Sequence, residues 1–276
     1  MENSSAEKID SAEINDSAEL KDFLKLLDEG VSVVAMLAPS FPVMFEYPEI
    51  VGKLRRLGFS YVVEVSRGAL ETNRELTRLV TEDKTARFIT SPCPTIVRLI
   101  KAQYPHLKKF IAPVKSPMAY TAEVAQSHFP GYKPVFIGPC LMKKKEAQED
   151  HKDLGILVLT YKELLEVFKI KGIKSNPEDY RESFDLIGMN TRLYAISGGL
   201  TQSAELNYLL TDEELDVVSG PERVKKALED FPKNKLRVLD ILNCDGGCIA
   251  GPGVESDLPL EKRRAKVITH WAKINQ

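Results

Sequence analysis

Four cysteines are the residues of this 276-residue chain best suited to chemistry, and their spacing is uneven. Cys93, Cys140, Cys244 and Cys248 are separated by 46, 103 and 3 residues. Each sits among residues that stiffen or tighten the backbone. Cys93 lies between prolines in Thr90-Ser91-Pro92-Cys93-Pro94, Cys140 follows Pro139, and the last two fall in Asn243-Cys244-Asp245-Gly246-Gly247-Cys248. Proline fixes φ and removes a backbone donor. Glycine permits tight turns and close approach of the backbone to a bulky guest. Iron–sulfur clusters need four converging thiolates on stiff loops, with N–H groups aimed at the sulfurs. A four-cysteine zinc site usually draws on two short CxxC knuckles, which these gaps do not supply. Three readings stand on the residues alone: iron–sulfur ligation, unrelated buried thiols, and zinc or a redox disulfide.

The run Lys143-Lys144-Lys145 adjoins Cys140. Lys143, three residues beyond the cysteine, is the one expected to turn inward, donate to an anionic ligand and offset negative charge. Lys144 and Lys145 are expected on a solvated helix start, and Glu146 either pairs with Lys143 or lies at the surface. His106, His128, His151 and His270 are isolated, without metal-ligand spacing. No GxGxxG follows a strand and no P-loop pattern occurs, so the usual nucleotide folds are unsupported. Gly198-Gly199 reads as a strand-end turn and Gly58 as a helix C-cap.

The elements that must hold these loops are legible as well. The composition, 43% hydrophobic and 28% charged, is that of a globular protein. No apolar run approaches transmembrane length and no secretory h-region opens the chain, so no membrane partner and a cytoplasmic location are expected. Four cysteines are too sparse for a disulfide scaffold. Residues 1–30 carry nine acids against three lysines, leaving only +4 on the rest, so no nucleic-acid partner is expected. The repeat SAEKID, SAEIND, SAELKD opens the chain. Its first 16 residues read as an acidic tail, after which Asp16 or Ser17 caps a helix stopping near Gly30. Apolar runs follow at 31–37, 61–65, 86–90, 134–138, 155–160, 194–197 and 236–242, with helical spacing at 68–81, 95–104, 117–128 and 162–170. Continuous hydrophobic strands alternating with helices indicate an α/β protein with mainly parallel sheets, in one sheet or two. Every cysteine follows the carboxyl end of such a strand, where parallel sheets bind ligands.

Taken together, TSPCP at 90–94, PCLMKKKE at 139–146 and NCDGGCIAGPG at 243–253 resemble the catalytic domain of [FeFe]-hydrogenases. The family's signatures have the forms TSCCP, PCxxKKxE and ACxGGCxxGxG. KSP at 115–117, the glycine pair in YAISGGL and LAPSFPVMF at 37–45 are similar too. The resemblance implies two lobes with mainly parallel sheets flanked by helices and a cluster in the cleft between them. On this reading residues 17–130 form the first lobe and 131–276 the second. It further implies that Cys93, Cys140, Cys244 and Cys248 hold a [4Fe–4S] cluster. Cys248 would bridge to a two-iron subsite bearing CO, cyanide and a dithiolate, the whole being the H-cluster. Lys143 would donate to one cyanide, with Ser116 and Pro117 lining the pocket of the other.

The departures carry weight. Pro92 stands where the family places a proton-relay cysteine, and proline cannot titrate. Met118 follows KSP where a polar residue is common, and Gly138 and Leu242 replace methionines packed on the cluster. The pattern is similar to the sensory branch and implies slow H2 chemistry or H2 sensing, with a signalling partner. No ferredoxin-like CxxCxxCxxxCP run is present. Electrons would then come from an electron-transfer protein or a ferredoxin-like domain of a longer chain. The alternative is a non-enzymatic [4Fe–4S] electron-transfer, redox-sensing or scaffold protein without the two-iron subsite.

Overall fold

Five consecutive residues of the first strand, Val33 to Leu37, are fully excluded from solvent, which explains why no polar residue interrupts them. Strands covered by helices on both faces read as unbroken apolar runs. The computed structural model describes residues 17–274, so the tail expected over 1–16 lies outside the described residues. Seven strands are present among the described residues: β1 Val33–Leu37, β2 Tyr61–Glu64, β3 Phe88–Ile89, β4 Lys133–Gly138, β5 Leu157–Thr160, β6 Leu215–Ser219 and β7 Val238–Leu242. They form a four-stranded sheet ordered β2-β1-β4-β5 and a three-stranded sheet ordered β3-β7-β6, and every pairing is parallel.

The helices are α1 Ala18–Asp28, α2 Glu49–Leu57, α3 Ser66–Glu82, α4 Pro94–Gln103, α5 Pro117–His128, α6 Met142–Lys145, α7 Tyr161–Ile170, α8 Gly199–Ser203, α9 Leu206–Leu209, α10 Pro221–Asp230 and α11 Leu260–Ile274. Ser17 is the N-cap of α1, its hydroxyl accepting from Leu20 N at 3.4 Å. Gly58 ends α2 at φ +118°, a left-handed cap that costs glycine little. Among the described residues no helix is long and apolar enough to cross a membrane.

Three expectations about the fold need correction. The run Tyr194–Ser197 is not a strand; Tyr194 and Ala195 end the 3₁₀ helix Met189–Ala195, and Gly198 turns into α8 at φ +78°. The strand missing from the expected set is β6. Acids at 212–214 and 216 mask its short apolar run, and as an edge strand it exposes Asp216 and Val217. The division at residue 130 separates neither sheet. β1 and β2 join β4 and β5 across it, while β3 joins β6 and β7. Parallel neighbours cannot be joined by hairpins, and the connections from β2 to β3, β3 to β4 and β5 to β6 carry the chain from one sheet to the other. The lobes are spatial rather than sequential.

A buried ion pair ties the end of β2 to the 3₁₀ helix. Arg192 Nε donates to both Glu64 oxygens, at 2.8 and 2.9 Å, and both side chains are 2% exposed. Ser66 Oγ and Gly188 N add bonds of 2.9 Å to the same carboxylate. Burial pushes the Glu64 carboxyl up, but the His270 ring at 3.7 Å, Arg192 and the Gly188 N–H outweigh it and hold the group below its ordinary value. Arg192→Leu would strand this carboxylate and is expected to lower unfolding free energy by roughly 3 kcal/mol or more in denaturant titrations. Lys25→Ala, in the exposed Lys25–Glu29 pair, should change it by less than about 1 kcal/mol. Because the Glu64 value is depressed, its contribution is full above the ordinary value of 4.5 and lost as pH falls through the folded-state value.

Candidate metal centre

The first and third cysteine segments leave neighbouring strands of one sheet side by side. Phe88 and Ile89 of β3 pair with Val238 and Leu239 of β7. Thr90 continues the ladder, donating to Leu239 O at 3.0 Å and accepting from Ile241 N at 3.1 Å. Cys93 then serves as N-cap of α4, with Pro94 at its first turn. Beyond β7, Gly246 and Gly247 turn at φ +71° and +106° and place Cys248 at the head of a 3₁₀ turn. Cys140 comes from the other sheet, two residues past β4.

The two sheets are joined at this point by bare backbone. Gly253 N donates to Pro139 O at 2.8 Å. A Cβ built at Gly251 would lie 2.6 Å from that carbonyl, and one at Gly253 would lie 3.0 Å away. Gly247 approaches Ala195 O just as closely, at 2.6 Å for its Cβ position. These glycines are what lets the third segment rest on the second.

All four thiols are free. Each keeps some contact with solvent, yet the surrounding atoms exclude enough water to dominate their ionisation. Burial, then the charge of Cys93, pushes the Cys140 thiol up to about 11, with Lys143 acting the other way. Burial, then Cys93 and Cys140, pushes Cys244 to about 12. Cys248 is raised well above the ordinary range by burial, then by Cys244, Cys93 and Cys140. These mutual effects put the four sulfurs within electrostatic reach of one another. Among the described residues no three His, Cys, Asp or Glu are grouped to hold a single ion. A four-iron cube takes its ligands at four separate corners, so a donor set of four spread thiols with little competing oxygen fits a cluster better than one ion.

Beside Cys140 and Cys248 lies a cavity of about 70 Å³. Both sheets wall it, Phe136 and Pro139 from one side, Asp240 and Leu242 from the other, and Pro92, Pro117 and Met118 close it. Lys143 points into it, 8% exposed, and donates to Glu146 Oε2 at 2.6 Å and to Pro92 O at 3.3 Å. Ser116 is placed differently from its neighbour Pro117. Its hydroxyl caps α5, donates to Glu146 Oε1, and faces a second, more open cleft of about 420 Å³. Gly138 is accounted for by packing, since a Cβ there would lie 2.5 Å from the Phe136 ring.

Lys144 is not solvated as expected. Its ammonium is held by Glu163 at 2.6 Å, Glu19 at 2.8 Å and Ser17 at 3.2 Å, fastening the start of α1 beside α6; Lys145 is exposed. Sequence reasoning missed three polar groups. Asp240, fully buried in the cavity wall, accepts from Thr201 Oγ1 at 2.8 Å and N at 3.2 Å, and burial raises its carboxyl. Its signal was a lone acid within a strand run. Tyr161 donates to Ala38 O at 3.0 Å and shares a 2.7 Å bond with Ser40. His151 comes within 4.0 Å of Glu146 Oε1 through a π-helical turn that no spacing rule announced.

Residues 31–252 match the family described as the iron-only hydrogenase large subunit, C-terminal domain. The NADP-reducing hydrogenase subunit HndD of Solidesulfovibrio fructosivorans is 27% identical across 78% of this chain. The chain spans 47% of that relative's length. Among solved structures, a point variant of the apo [FeFe]-hydrogenase HydA1 of Chlamydomonas reinhardtii superposes with a TM-score of 0.67 at 19% identity. That similarity covers 90% of this chain and 87% of the other. HydA(deltaEFG), a structure described in terms of stepwise [FeFe]-hydrogenase H-cluster assembly, gives a TM-score of 0.66 at 20% identity, with the same coverage of 90% and 87%. At this identity the likeness is one of fold.

The close approach at Gly247 yields a test. Gly247→Ala would add strain at φ +106° and press on the Ala195 carbonyl. Anaerobically reconstituted variant is expected to lose most of its iron while keeping the far-ultraviolet circular dichroism of the parent.

Proposed function

The chain belongs to the family formed by the C-terminal domain of iron-only hydrogenase large subunits, and from that premise we propose that it holds an H-cluster and interconverts H2 with protons and electrons, slowly enough to serve H2 sensing. The observation that carries the reading is the gathering of four thiols from two sheets beside an apolar cavity with one inward lysine. Cys93, Cys140, Cys244 and Cys248 would hold the [4Fe–4S] part, and Cys248, which lines the cavity, would bridge to the two-iron part. When bound, the cluster supplies stored electrons and an iron site at which H2 is split or formed.

The remaining work falls to the chain. Lys143 presents the cavity with an ammonium already desolvated and fixed by Glu146, so donation to an anionic ligand such as cyanide needs no reorganisation. Met118, Phe136, Pro117 and Leu242 exclude water, which strengthens that donation. Pro92 sets the rate. It lines the cavity with a ring that carries no titratable group, and its carbonyl is already taken by Lys143. Proton supply by a side chain at this position is absent, which favours slow turnover. We assign electron delivery to a separate carrier or a ferredoxin-like domain, one electron at a time.

Infrared spectra of anaerobically matured protein should show metal-bound CO and cyanide bands, with about six irons per chain. About four irons and no such bands would overturn the reading in favour of a [4Fe–4S] electron-transfer or scaffold protein. Pro92→Cys places a thiol at the cavity wall. In protein with unchanged CO bands it should raise H2 turnover by roughly 10²-fold, the usual worth of a positioned acid–base group. No gain would mean that other walls of the pocket limit the rate.

A further inference from the structure

One carboxylate, that of Glu146, bonds both to a residue lining the inner cavity and to a residue lining the outer cleft. Lys143 lines the first, while Glu146, Ser116 and His151 line the second. Glu146 is only 4% exposed, and its two oxygens have different partners. Oε2 receives the Lys143 ammonium at 2.6 Å, and Oε1 receives the Ser116 hydroxyl. The ring nitrogen Nε2 of His151, itself partly open to the cleft, stands 4.0 Å from Oε1. From these contacts we propose that Glu146 is a relay residue, passing protons between the solvent of the outer cleft and Lys143 at the inner cavity. The inference rests on the hydrogenase reading above, in which protons must reach a cavity whose wall at Pro92 carries none.

Several features support the route. Glu146–Asp150 is a π-helical segment, closed by His151 N donating to Glu146 O at 3.1 Å. The wider turn brings residue 151 over residue 146, and such turns are frequent at functional sites. Other titratable groups of the cavity lead elsewhere, since Asp240 bonds to Thr201 on the far wall. The charged groups facing Glu146 are Lys143 from α6 and His151 from the following turn, with Lys101, Lys108, Lys115 and Asp150 around the cleft.

The transfer balances without a further reactant. Ser116 Oγ takes a proton from cleft water as its own proton passes to Glu146 Oε1. A half-turn of the carboxyl, whose terminal torsion is broad and roughly two-fold, presents that proton to Lys143. Lys143 takes it up as it gives one of its own to the cavity. One proton has moved inward, and Ser116, Glu146 and Lys143 end as they began. Outward transfer is the reverse.

The test uses the full chain as parent, Glu146→Gln and Glu146→Asp. In matured protein, Glu146→Gln should lower H2/D2 exchange by about 10²-fold, flatten its acid-side pH profile and leave the CO bands in place. Glu146→Asp should recover much of the loss. A second readout needs no two-iron part. In protein holding only its four-iron cluster, infrared difference spectra between acid and neutral pH should show a carboxyl band that shifts in D2O and is missing from Glu146→Gln. An unchanged exchange rate and pH profile in Glu146→Gln would overturn the proposal, as would absence of a Glu146-dependent carboxyl band. If the parent lacks CO bands, the hydrogenase reading falls, and the carboxyl band still decides whether Glu146 takes protons from the cleft.

Discussion

The contact on which the rest of the centre depends is one of backbone on backbone. Two parallel sheets present their carboxyl ends to a common space, and the third cysteine segment crosses that space to lie against Pro139. Residues with side chains cannot make this approach, because Gly251 and Gly253 have no room for a Cβ beside the Pro139 carbonyl. One hydrogen bond, from Gly253 to Pro139, fixes the separation. The positions of Cys140 and Cys248 follow from it, as does the width of the cavity between them. A thiol supplied by one sheet alone would have no partners across the cleft.

Electrostatics then decides what such a space can hold. The walls are mainly hydrocarbon, so burial raises the Cys140, Cys244 and Cys248 thiols, and each thiolate would disfavour the next. A cationic guest relieves both penalties at once, since metal ligation requires the thiols deprotonated and supplies the charge that stabilises them. The single inward ammonium, Lys143, is itself matched by Glu146 rather than left to the thiols. The buried charges of this centre, Lys143 and Glu146, are therefore balanced as a pair, while burial favours the neutral form of the thiols. The same pairing appears at Glu64 and Arg192, where a second buried couple holds the 3₁₀ helix that underlies Gly247.

Much of this was legible from residue order. Mainly apolar runs located six of the seven strands among the described residues, because strands covered on both faces read as largely hydrophobic. α5 was found at its observed bounds from helical spacing, and its start is fixed by Ser116 as a capping residue and Pro117 as a first-turn proline. The centre itself stood out because prolines and glycines flank every thiol. The rest was hidden for physical reasons. β6 is an exposed edge strand among acids, and Tyr194–Ser197 has strand-like residues in a tight 3₁₀ and left-handed turn. Lys144 looked solvated because its partners, Glu19 and Glu163, belong to other helices. The meeting of Glu146 with His151 depends on a π-helical turn, and no pattern of hydrophobicity reports one.

The interleaving of the sheets has a consequence for how the centre comes into being. β3, two residues long, finds its only strand partner among the described residues in β7, about 150 positions later. Cys93 is therefore made long before anything exists to hold its loop. Contacts of such sequence separation form late, because the closure entropy must be met before they return anything. During synthesis the first three-quarters of the chain can assemble most of the four-stranded sheet while the three-stranded one remains without its central strand. The thiols converge only when residues near 253 have emerged and folded back on Pro139. Any group held by all four thiols would therefore be a guest admitted to a nearly finished house, not the seed on which this fold grows.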